Sequence, residues 1–108
     1  MGRLNLGEFE QLVLLACIRL EGTAYAVAIL EELESRGRRT SHAAVYIALR
    51  RLEARGLTVS EPGAPAPDRG GRPRLIYRVL PEARRMLAEY RDTYMSMWEG
   101  LEPAGGAR

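Results

Sequence analysis

Thr40–Leu80 reads TSHAAVYIALRRLEARGLTVSEPGAPAPDRGGRPRLIYRVL, and the order of patterns in it decides the fold. Ser41 (or Thr40) is a helix-capping residue type. Behind it Val45, Ala48, Leu49 and Leu52 recur at helical spacing to about Arg55, where Gly56 stops the helix. The opposite face of this helix carries Ala43, Ile47 and Arg50, flanked by Tyr46 and Arg51. Leu57–Glu61 then alternates apolar and polar residues, as a strand does. Residues 62–74 (PGAPAPDRGGRPR) are rich in Pro and Gly and include Arg69, Arg72 and Arg74. Leu75–Leu80 alternates again, with Leu75, Tyr77 and Val79 on one side. Two short strands joined by a basic Gly/Pro-rich loop predict a β-hairpin.

Upstream, Gly7–Glu21 carries Phe9, Leu12, Val13, Ala16, Cys17 and Leu20 as one helical stripe, with Glu8 and Glu10 where the helix dipole favours acids. Leu14, Leu15 and Ile18 lie off that stripe. A helix apolar on two faces is buried on both, which in so small a domain predicts a core face and a partner face. Glu21-Gly22-Thr23 reads as a break with Thr23 as the next N-cap. Ala24–Ser35 follows as a helix with Ala26, Ile29, Leu30 and Leu33 on one side, ended by Gly37. Arg38-Arg39-Thr40 reads as a small edge strand.

Downstream, Pro81 suits the first position of a last helix. Along it Ala83, Leu87, Tyr90, Tyr94, Met97 and Leu101 are spaced 4-3-4-3-4, an a/d seam with Met86 and Trp98 beside it. The fold class is thus mainly α with a small β-hairpin, a winged helix-turn-helix plus a C-terminal dimerisation helix. We divide the chain into a winged helix-turn-helix domain (1–80), the dimerisation helix (81–101) and a disordered tail (102–108).

The 108 residues suffice for one domain, and a domain of that size is marginal unless a partner adds burial. Net charge is only +2, but it is segregated. Residues 36–78 hold ten Arg against Glu53, Glu61 and Asp68, a balance of +7, between flanks of −4 and −1. A basic block of this kind is the electrostatic footprint of a protein that binds a polyanion. All sixteen cationic residues are Arg, which codon usage in a GC-rich genome would explain. One Cys and one His exclude an internal disulfide and the usual Cys/His zinc sets, and no metal or other cofactor is expected. No carboxylate pair or phosphate loop suggests an enzyme. No apolar run approaches the ~18 residues of a membrane span, and the N-terminus lacks a signal-peptide pattern, so a cytoplasmic protein is expected.

LGEFEQLVLLACIRL (6–20), AYAVAILEEL (24–33), TSHAAVYIALRRLEARGLTVSE (40–61) and GGRPRLIYRVLPEA (70–83) resemble, in order and spacing, the PadR-type transcriptional regulators. The resemblance covers about residues 4–88 and matches the short subtype with a single C-terminal helix. The chain departs from the family pattern at Ala26, at Ala43 or Ala44, and at His42. It departs again at Leu80–Ala83, where LPEA replaces the usual T-x-x-G. The resemblance implies a homodimeric regulator, as a repressor, of nearby genes. Charge and helix order independently point to double-stranded DNA as the partner. A winged helix that binds only protein is the alternative, but it would not need ten Arg in this block.

The expected DNA-binding residues are Ser41, His42, Tyr46, Ile47, Arg50 and Arg51 on the third helix, with Arg69, Arg72 and Arg74 in the wing. Leu14, Leu15, Ile18, Leu87, Tyr90, Tyr94, Met97 and Leu101 are expected at the dimer interface. The resemblance further implies a planar aromatic effector, for which Tyr94 and Trp98 are the candidates. Two half-sites about one helical turn (~34 Å) apart are expected for such a dimer.

Overall fold

The computed structural model describes residues 5–65, 70, 71 and 73–101. Along the chain run α1 (Glu8–Arg19), α2 (Ala26–Ser35), α3 (His42–Ala54), β1 (Thr58–Pro65), β2 (Pro73–Val79) and α4 (Pro81–Trp98). The strands pair antiparallel from Thr58↔Val79 to Pro65↔Pro73. This is the expected winged helix-turn-helix with one added helix. The expected tail, 102–108, lies outside the described residues.

α2 and α3 end alike. Gly37 and Gly56 take φ of 93° and 77°, a region closed to most residues with a Cβ. The Arg38 N–H then reaches Leu33 O at 2.9 Å and the Leu57 N–H reaches Leu52 O at 3.0 Å. Both are Schellman closures that satisfy orphan carbonyls. α3 begins as its sequence requires, with Ser41 Oγ accepting from the Ala44 N–H at 3.1 Å. Such a cap stabilises a helix by about 1 kcal/mol over Ala.

Two local expectations fail. Thr23 does not cap α2. Its hydroxyl donates to Leu20 O at 3.1 Å, completing the end of α1, and Tyr25 stands at the α2 N-cap with no side-chain cap bond. Arg38–Thr40 is not a strand, because the sheet has only β1 and β2 and gives it nothing to pair with. Arg38 lies instead over the Phe9 ring, 5.2 Å from its centroid, and donates to Glu8 Oε1 at 2.8 Å, tying the segment to the start of α1. The hairpin is also longer than its alternation suggests. Pro62, Pro65 and Pro73 sit inside strands, which a two-stranded sheet tolerates because both strands are edges.

The core is built from Val13, Leu14, Ile29, Val45, Leu49, Leu52 and Leu57, all essentially inaccessible. Leu14 was expected to face a partner and is a core residue, 0% exposed. Leu87, expected on the same interface, is 7% exposed and belongs to the same core with Ala83 and Met86. The cause is that the first half of α4 packs inside its own chain. The apolar seam of α4 therefore divides: its N-terminal part fills this core, while Tyr94, Met97 and Leu101 stay exposed.

Hydrogen bonds fix where α4 lies. Gln11, almost buried in the first turn of α1, donates through Nε2 to Leu6 O at 3.1 Å and to Tyr94 Oη at 3.3 Å. The Leu6 N–H donates to Tyr90 Oη at 2.9 Å. Tyr90 and Tyr94 stack with ring centroids 6.4 Å apart.

Cys17 is buried on the core face of α1, and burial pushes its thiol pKa up to about 12 from 9.0. Because the thiolate is the reactive form, native protein at pH 8 should resist alkylation at Cys17 and become reactive on unfolding. Mass spectrometry after iodoacetamide, with and without denaturant, checks this; rapid native labelling would contradict the packing.

Candidate nucleic-acid interface

The helix-turn-helix holds α3 by one face and frees the other. Val45, Ala48, Leu49 and Leu52 point into the core, so the 3.6-residue period turns Ala43, Tyr46, Ile47, Arg50 and Arg51 outward. With Ser41 and His42 at the helix start, these residues form a continuous exposed face. Tyr46 and Ile47 are 48% and 51% exposed on it.

Arg50 crosses this face toward Tyr46. It donates to the Tyr46 hydroxyl at 3.2 Å, and its guanidinium stands 5.7 Å from the ring centroid. The hydrogen bond to Tyr46 raises the already high guanidinium pKa, so the charge is permanent. A fork held this way is pre-oriented for guanine edges or phosphates.

The other described arginines have mostly different employment. Arg19 and Arg36 pair with Glu32, Arg38 with Glu8, Arg55 with Glu10, Arg78 with Glu61 and Arg84 with Glu21. Among the described residues, Arg50 and Arg51 make no ion pair with a carboxylate. Two such cations thus stand on the α3 face.

The wing stands beside this face. Between the start of α2, the first turns of α3 and β2 lies a cleft of about 470 Å³, lined by Tyr25, Val27, His42, Tyr46, Arg74 and Tyr77. Arg74 lies over the Tyr25 ring, 5.5 Å from its centroid. Burial, and then the Glu53 charge, raise the Tyr77 phenol, so it remains a neutral hydroxyl. Arg69 and Arg72 lie outside the described residues.

On the far side, α1 and α4 enclose an apolar groove of about 440 Å³ lined by Leu15, Ile18, Leu87, Ala88, Tyr94 and Met95. It runs out onto the bare end of α4, where Met95, Met97, Trp98 and Leu101 are each more than half exposed. Met95 and Gln11 had escaped sequence reasoning. Met95 falls off the 4-3-4 register, although an apolar residue there widens the exposed stripe. A Gln directly before LVLL was a usable sign of a partnered polar group. Tyr25 had no such local signal, since packing between distant segments places it in the cleft.

An exposed helix bearing Arg50 and Arg51, a hairpin bearing Arg74 beside it and a fourth helix packed against α1 define a winged helix-turn-helix DNA-binding protein. The model of the transcriptional regulator PadR-like family matches residues 14–89. The crystal structure of a PadR family transcriptional regulator from Eggerthella lenta DSM 2243 is similar, with a TM-score of 0.67 and 30% identity over 87% of this chain and 82% of that one. That of a PadR family transcription regulator from Clostridium difficile R20291 shares the fold, with a TM-score of 0.68 and 21% identity over 86% and 93% of the two chains. No curated protein matches the sequence. The chain belongs to the PadR-like family: it is a DNA-binding transcriptional regulator and not an enzyme. No described helix is long and apolar enough to cross a membrane. No group of three or more described His, Cys, Asp and Glu residues could hold a metal ion.

Proposed function

We infer that the protein is a cytoplasmic homodimeric repressor that places α3 in the major groove of two half-sites. Ser41, His42 and Tyr46 approach the backbone at the start of the helix, Ile47 and Arg50 face base edges, and Arg51 sits at the flank. Arg74, with Arg69 and Arg72 of the same loop, meets flanking phosphates or the minor groove. The carrying observation is that Arg50 and Arg51, without a carboxylate partner among the described residues, stand beside exposed Tyr46 and Ile47 on a helix whose opposite face is wholly buried. The test is binding to duplexes tiled across the DNA upstream of its own gene, compared with scrambled duplexes of equal length. A preference of about 10³-fold or more supports operator recognition, and equal binding to both contradicts it.

Dimerisation uses Leu15, Ile18, Tyr90, Tyr94, Met97 and Leu101, with the α4 end of one protomer lying along the α1–α4 groove of its partner. A planar aromatic effector binds in that dimer through Tyr94 and Trp98. Trp98 is the only tryptophan and is 56% exposed, so its fluorescence reports this site alone. Planar aromatic compounds should quench it saturably and weaken operator binding over the same concentrations. Saturable quenching with unchanged operator affinity would make the site a passive pocket.

A further inference from the structure

Gly63 stands at an irregularity in the hairpin, between the paired positions Pro62 and Pro65. It is not among the glycines with positive φ, so backbone conformation does not demand a glycine there. Space does. A Cβ at Gly63 would lie 2.9 Å from both Cε1 and Oη of Tyr25 and 3.0 Å from Cδ1 of Ile76. The Tyr25 ring thus rests against the bare backbone of β1 while the Arg74 guanidinium of β2 covers it at 5.5 Å. One residue earlier, Ala24 O accepts the Tyr77 N–H at 3.0 Å, so the wing is also fixed to this turn by its main chain. Tyr25 itself is rigidly based, at the N-cap of α2 with φ −81° and ψ 155°.

We propose that Tyr25 is a positioning residue for DNA recognition: clasped between the Gly63 backbone and the Arg74 guanidinium, its ring sets where the wing presents Arg74 relative to α3. A tyrosine face attracts a guanidinium and narrows the rotamers open to an arginine that lies over it. Tyr25 also lines the same cleft as His42 and Tyr46 at the start of α3, so the clasp stands beside the recognition helix. The inference rests on the reading that Arg74 meets a DNA phosphate.

Salt dependence separates positioning from mere stability. The slope of log K against log salt counts the phosphates neutralised, about 0.9 each. A destabilised protein has a smaller active fraction, which scales every affinity equally and leaves the slope unmoved. Tyr25→Leu removes the ring, and Gly63→Ala drives its mobile end from under Arg74 without touching backbone. Both should weaken operator binding several-fold and lower the slope by about one for each phosphate that Arg74 ceases to neutralise. Tyr25→Phe keeps the ring and should keep the slope. Arg74→Gln should match the Tyr25→Leu slope, and the double variant should add nothing. If Arg74→Gln lowers the slope while Tyr25→Leu and Gly63→Ala retain it, the clasp does not position Arg74 and the proposal falls. Should Arg74→Gln itself retain the wild-type slope, Arg74 does not meet a phosphate and the proposal falls with it. A Tyr25→Phe slope as low as that of Tyr25→Leu also overturns the role given to the ring.

Discussion

Leu15→Glu should turn the proposed dimer into a folded monomer. Leu15 is 44% exposed at the mouth of the α1–α4 groove, outside the core that holds the domain together. Fully burying a leucine stabilises by roughly 1.5–3 kcal/mol, less than half of Leu15 is left to bury, and two-fold symmetry counts the change twice. The loss of roughly 1.3–2.6 kcal/mol raises the dimer dissociation constant about 10–10²-fold, before the cost of burying a charge. Leu14→Ala, one residue from Leu15, should behave oppositely. Its side chain is fully buried, so the cavity costs about 2–5 kcal/mol of fold stability. Sedimentation velocity at micromolar concentration, alongside thermal unfolding, distinguishes the two. A Leu15→Glu protein that still sediments as a dimer would remove the groove from the interface.

The second large effect is electrostatic. If a dimer contacts ~6–10 phosphates, operator affinity should fall about 10³–10⁵-fold between 50 and 200 mM salt. Arg50→Ala should cost roughly 1–3 kcal/mol per half-site and relax preference at the base it reads. Arg19→Ala should change neither quantity, because Arg19 is on α1 and paired with Glu32. Fluorescence anisotropy with a labelled duplex at several salt concentrations measures both. An Arg50→Ala variant that loses affinity equally for all sequences would place Arg50 on phosphate and not on a base.

Much of this was legible in the sequence because one-dimensional periodicity determines which side of α3 is free. Val45, Ala48, Leu49 and Leu52 leave Tyr46, Ile47, Arg50 and Arg51 no other side to occupy. Glycines that end helices were equally plain, since Gly37 and Gly56 are followed by breaks in the pattern. The seam of α4 was visible as a period but not as a location. Leu87 and Met97 carry the same apolar character, yet one packs in its own core and the other is 70% exposed. Periodicity cannot tell burial within a chain from burial between chains. Leu14 was misplaced for the same reason: its position off the Val13–Cys17 stripe indicates a second contact, not which element supplies it. Thr23 shows a nearer competition, in which a hydroxyl able to cap the next helix completes the previous one instead.

Two copies of this chain should read one DNA site with two α3 helices. Hydroxyl-radical footprinting of the wild-type protein on a duplex it prefers, with the stoichiometry taken from the same titration, tests this most directly. The expected result is two protomers per duplex and two protected patches on one face of the DNA, centred about one helical turn (~34 Å) apart. One protomer per duplex with a single protected patch would contradict it.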